Sequence, residues 1–100
     1  MANAVEFVTF NLKKGTSIPD FLMASEKMNK EFLAAQKGYI TRKLLVQDKL
    51  WADWVLWETM EDALNAANST NTTSGYEEAS KYFSFIENCK MSHFTVEESY

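Results

Sequence analysis

Two stretches of this chain are apolar on both faces of a β-strand, and no other feature limits the available folds as much. In residues 4–12, Val5 and Phe7 point one way while Val8, Phe10 and Leu12 point the other. Residues 51–58 repeat the pattern, with Val55 and Trp57 opposite Trp54 and Leu56. Side chains alternate across a strand, so a sheet built from such segments needs cover on both sides. Packed helices supply one cover. The chain has 100 residues, enough for one two-layer core but too few for a second sheet of its own. The other face is therefore expected to meet a second copy of the chain, sheet against sheet, as a homodimer.

The rest of the chain parses around three glycines and one proline. Lys13-Lys14-Gly15 closes the first strand. Ser17 stands three residues before Asp20 with Pro19 between them, which is a helix start. Behind it Phe21, Ser25, Met28, Phe32 and Ala35 share one helical face, and the helix is expected to end at Gly38. Residues 39–47 and 51–58 read as strands joined across Asp48-Lys49-Leu50 into a hairpin. Thr59 and Asp62 start a second helix carrying Met60, Ala63, Leu64 and Ala67. Residues 68–75 read as a frayed helix end and loop. Ser74 with Glu77 then starts a third helix striped by Tyr76, Ala79, Phe83 and Ile86, and residues 91–97 alternate as a last strand. The order predicts a single α+β domain over 1–100. It is ferredoxin-like, βαββαβ, a four-stranded antiparallel sheet with helices on one face.

Composition removes several function classes. Ten Lys and Arg against 14 Asp and Glu give a net charge of −4 with no basic cluster, so nucleic acid is not an expected partner. The longest apolar runs fall far short of the roughly 18–20 residues that span a bilayer, so no membrane is expected either. Residues 1–6 carry neither a basic n-region nor a long apolar h-region, from which a cytoplasmic location is expected. Cys89 is the one cysteine and His93 the one histidine. They cannot supply an internal disulfide, a zinc site or a nucleophilic triad, and no metal is expected.

A few side chains remain as candidates for chemistry. His93 sits mid-strand with Met91 and Thr95 on its own face, where an imidazole can act as general base or hold a ligand. Its ordinary alternative is a partly buried histidine satisfied by a neighbour. A carboxylate held against an apolar sheet face binds a proton more tightly and can accept one from a phenol. Glu6 and Glu58 stand in that setting, against the alternative of solvated strand ends. Trp54 and Trp57 face opposite ways, so they cannot form one wall, though either can line a flat aromatic pocket. Phe7 and Tyr82 are further candidates for ligand contact, and Tyr82 and Phe85 lie off the main stripe of the third helix. Cys89, placed at the end of that helix, has nothing to activate its thiol.

Several segments resemble the antibiotic biosynthesis monooxygenase-like domains of the dimeric α+β barrel group. They are the first strand and turn from Phe7 to Thr16, the joint Gly38-Tyr39-Ile40, the strand exit and helix start Trp57-Glu58-Thr59-Met60-Glu61-Asp62-Ala63, and Phe94-Thr95-Val96. These are mainly determinants of fold, spread over roughly residues 4–97. The resemblance implies a dimeric α+β barrel with a pocket between sheet and helices. Some members oxidise electron-rich aromatic polyketides there without metal, flavin or other cofactor, and others degrade haem. The haem degraders use Asn, Trp and His at positions that fall here on Val8, Asn65 and near Gly75, and none of the three matches. The expected function is binding of a small aromatic or hydrophobic metabolite, with cofactor-free monooxygenation as the reaction. The alternative is a non-catalytic ligand-binding or stress-associated dimer of the same fold.

Overall fold

The computed structural model describes residues 2–69 and 76–100. Strands β1 (Ala4–Leu12), β2 (Tyr39–Gln47), β3 (Leu50–Trp57) and β4 (Ile86–Thr95) form one antiparallel sheet in the order β2-β3-β1-β4. Helices α1 (Ile18–Glu31), α2 (Met60–Ser69) and α3 (Tyr76–Phe83) pack on one face. This is the expected ferredoxin-like α+β arrangement. The two doubly apolar strands, β1 and β3, take the centre of the sheet. Phe10, Trp51, Val55 and Trp57 point into the helix layer and join Phe21, Met28, Ala63 and Tyr82 in one buried core. Val5, Phe7 and Trp54 line the helix-free face beside Phe94, which is 55% exposed. Among the described residues no helix is long and apolar enough to cross a membrane.

The helices follow their start signals more closely than their expected ends and stripes. The Ser17 hydroxyl accepts a hydrogen bond from the Asp20 N–H at 3.3 Å, with Pro19 in the first turn. Yet α1 ends at Glu31, not near Gly38. The chain breaks at Phe32 (φ −120°, ψ −65°) and continues as a 3-10 turn over Leu33–Ala35, which lets the neighbours Phe32 and Leu33 both reach the core. Gly38 follows with φ +85°, a conformation costly for any residue with a Cβ. A Cβ there would also lie 2.6 Å from that of Asp62, so glycine is what lets the start of α2 pack down on the joint. That contact turns α2 so that Asp62, Ala63 and Ala66 are buried and Leu64, expected on the inner stripe, is exposed. In α3 Ala79 is buried as expected, but the next inward side chain is Tyr82 and Phe83 is exposed. Asn68 and Ser69, the start of the expected frayed helix end and loop, belong to α2. The remainder of that loop and the Ser74 helix start lie outside the described residues.

Both strand corrections involve a residue with positive φ. Gln47 pairs with Leu50, so the hairpin turn is Asp48-Lys49 and Leu50 belongs to the strand. Asp48 takes φ +55°, which Asp tolerates better than most, and Asn11 Nδ2 donates to the Lys49 carbonyl at 2.9 Å. β4 begins at Ile86, well before the expected residue 91. Thr9 pairs with Lys90 but Asn11 with Glu87, so two steps along β1 correspond to three along β4. The extra residue is taken up at Asn88, φ +57°, as a β-bulge. Ile86 before the bulge and Cys89 and Met91 after it consequently face the same side, toward the helices.

Candidate functional site

Between the sheet and the helices lies a cavity of about 160 Å³. Its walls are mostly apolar, with Val8 and Val55 as floor and Met28, Phe32 and Ala66 from the helical side. Two carboxylates interrupt them, Glu6 on β1 and Asp53 on β3. Both are buried.

Glu6 has the inward parity of Ala4 and Phe10, and the register of β1 with β4 sets it directly opposite His93. The His93 Nε2 stands 3.1 Å from Glu6 Oε2. Burial pushes the Glu6 carboxyl above its ordinary 4.5, the His93 charge and hydrogen bond pull it back, and the Asp53 charge adds a smaller upward push. A carboxyl that holds its proton more tightly when folded stabilises the fold at low pH. That contribution is lost as pH rises from 4.5 through the raised folded value. Glu6→Gln removes the titration. The variant is expected to match the parent in acid and to gain on it steadily toward neutral pH. Thermal unfolding across that range checks this, and an offset independent of pH would refute it.

Asp53 anchors the second polar point. Arg42, on β2, donates Nε to Asp53 Oδ1 at 2.9 Å, and its Nη2 stands 2.8 Å from the same oxygen as an ion pair rather than an aligned hydrogen bond. Arg42 Nη1 donates to the Ser25 carbonyl at 3.3 Å, and the guanidinium lies 5.3 Å from the centre of the Tyr82 ring. Tyr82 OH donates to Asp53 Oδ2 at 2.6 Å. Burial first, then the Asp53 charge, pushes the Tyr82 phenol far above its ordinary 10, so it stays a donor. This bond is the reason Tyr82, not Phe83, turns inward. Cys89 also lines the cavity, in β4 rather than at a helix end. Partial burial, then the Asp53 charge, pushes its thiol up.

Of the side chains singled out from sequence, Glu6 and Tyr82 line this cavity, and His93 backs Glu6. The others lie elsewhere. Glu58 is exposed just beyond β3, where its N–H donates to the Gly38 carbonyl at 2.8 Å. Trp57 is fully buried in the core, edge-on to Tyr39 at 6.0 Å. Trp54 and Phe7 are on the helix-free face. Sequence reasoning passed over Asp53 and Arg42. The signal was present: Asp53 is the one charge within Leu50–Trp57, and it shares the inward parity of Trp51, Val55 and Trp57.

No protein-family model and no curated protein matches the chain by sequence. Solved structures do match it by fold. The cofactor-independent oxygenase SnoaB from Streptomyces nogalater superposes with a TM-score of 0.79 at 14% identity, over 99% of this chain and 97% of that one. A putative antibiotic biosynthesis monooxygenase from Nitrosomonas europaea gives 0.72 at 13% identity, over 95% and 90%. A dimeric ferredoxin-like protein from an uncultured marine organism gives 0.69 at 10% identity, over 100% and 92%. Helices on one face of a β2-β3-β1-β4 sheet thus make a ferredoxin-like fold that this chain shares with SnoaB and with the putative antibiotic biosynthesis monooxygenase.

Proposed function

We propose that this protein binds a small aromatic or hydrophobic metabolite in the cavity and oxidises it with O₂, without a cofactor. The observation that carries the reading is the buried Glu6 carboxylate on an otherwise apolar wall, paired with His93 at 3.1 Å. Such a pair can take the proton of a phenolic or enolic hydroxyl. The resulting anion is electron-rich and reduces O₂ itself: a ring C–H carbon becomes a quinone carbonyl carrying one oxygen atom, the hydroxyl carbon becomes the second carbonyl, the other oxygen atom leaves as water, and all electrons come from the substrate. In this role Glu6 faces the ligand and His93 shares its proton from behind. Tyr82 is a wall of the pocket. Glu58, Trp57, Trp54 and Phe7 are not among the described residues that line the cavity. Similarity in fold to SnoaB, described as a cofactor-independent oxygenase, supports the reaction class.

The working unit in this proposal is a homodimer through the helix-free face, in line with the dimeric ferredoxin-like neighbour. Oxygen uptake with electron-rich single-ring phenols tests the activity. The parent protein is expected to consume one O₂ per product, and Glu6→Gln to slow turnover by roughly 10²-fold, the usual contribution of a positioned base. No uptake with any of these, from protein that co-purifies with an aromatic ligand, would overturn the oxygenase in favour of a non-catalytic binder.

A further inference from the structure

The cavity's size and the placement of its charges narrow the ligand class, given the ligand-binding reading above. A space of about 150 Å³ lined by apolar side chains holds one benzene ring. This cavity, at about 160 Å³, takes one ring as well. Three fused rings would have to displace Phe32 or Tyr82, both in the buried core.

Charge is arranged in a consistent way around that space. Both described carboxylates face inward, and no Lys, Arg or His is among the described lining residues. Their counter-groups stand behind them: Arg42 holds Asp53 from β2, and His93 holds Glu6 from β4. Arg42 is committed, with Nε and Nη2 on Asp53 and Nη1 on the Ser25 carbonyl. The ligand therefore meets acceptor oxygens that Arg42 and the His93 Nε2 already hold from outside the cavity. Glu6 Oε1 has no hydrogen-bond partner among the described residues, its Oε2 being the one engaged by His93. Asp53 spends two of its roughly four lone-pair positions on hydrogen bonds from Arg42 Nε and Tyr82 OH, beside the ion pair with Arg42 Nη2. Glu6 pairs with Val55 across the strands, so Asp53 is its diagonal neighbour on the same face, about 7–8 Å away along the backbone.

We infer that the cavity selects an uncharged single-ring aromatic with hydrogen-bond donors at two positions, a dihydroxybenzene in class, and rejects ring carboxylates, ring ammonium ions and polycycles. A carboxylate would face two inward acids with no cation to meet it. An ammonium would have to shed its water shell in a mostly apolar site whose acids are already engaged by Arg42 and His93. A ring lacking one hydroxyl would leave an inward oxygen unmet.

Calorimetric titration under argon tests this independently of turnover. The probes are resorcinol, m-cresol, 3-hydroxybenzoate, 3-(aminomethyl)phenol and anthrone. Resorcinol is expected to bind at least about tenfold more tightly than either charged ring and more tightly than m-cresol, with anthrone unbound. Ala66→Leu, which fills the cavity from α2, is expected to abolish resorcinol binding while the far-ultraviolet dichroism is unchanged. Equal or tighter binding of a charged ring, binding of anthrone, or no binding of resorcinol would overturn the inference. Resorcinol binding without oxygen uptake in air would leave it standing and remove the oxygenase reading alone.

Discussion

Asp53→Ala is expected to destabilise the fold by about 3–5 kcal/mol, the range for removing one partner of a buried ion pair. Asp53 is 7% exposed, and the Arg42 side chain it neutralises is as deeply buried. Alanine leaves that guanidinium without its countercharge in an apolar layer, and leaves the Tyr82 hydroxyl without its acceptor. For a domain of this size each kcal/mol moves the unfolding midpoint by roughly 4–8 °C, so a fall of more than about 10 °C is expected by calorimetry or dichroism. A double variant separates the cause from simple loss of packing. Asp53→Leu combined with Arg42→Met removes both charges at similar volume and is expected to recover most of the loss. A fall below about 1 kcal/mol for Asp53→Ala alone would mean that the network contributes little.

Trp54→Glu is expected to convert a dimer into a monomer. Trp54 lies among Val5, Phe7 and Phe94 on the face the helices leave bare, and it sits on a central strand. Large aromatic side chains at the middle of an interface commonly contribute about 2 kcal/mol or more each. Twofold symmetry would place two of them in the contact, so the dissociation constant is expected to rise by about 10³-fold. The parent protein is expected to sediment at twice its chain mass of 11.5 kDa and the variant at that mass, with its helix and strand content retained. A parent that sediments as a single chain at micromolar concentration would end the dimer proposal.

The sequence was most readable where local chemistry and the global fold agree. Ser17 with Pro19, and Thr59, whose hydroxyl accepts the Asp62 N–H at 3.0 Å, mark both helix starts. The strands announced themselves through β-branched and aromatic runs, and the order of elements led to the sheet that is found. What stayed hidden depended on partners distant in sequence. The stripe of α3 was misread because Tyr82 is drawn inward by Asp53, 29 residues away. That of α2 was misread because Gly38 admits Asp62. The early end of α1 follows from tertiary demand for Phe32 and Leu33, which no propensity encodes. In the site, Glu6 and His93 were both visible as candidates, but their pairing is a product of register. Asp53 and Arg42 were read as strand residues because each looks like an exposed charge until the register makes them diagonal neighbours.

The bulge at Asn88 ties together two properties that are usually independent. Downstream of it, alternate residues of β4 supply the pocket wall and the bare face in turn, Met91 to one and Phe94 to the other. One inserted position sets the phase for both. The proposed ligand recognition and self-recognition are therefore written on opposite sides of a single reading frame, and a change of one residue in the length of this strand would exchange their vocabularies.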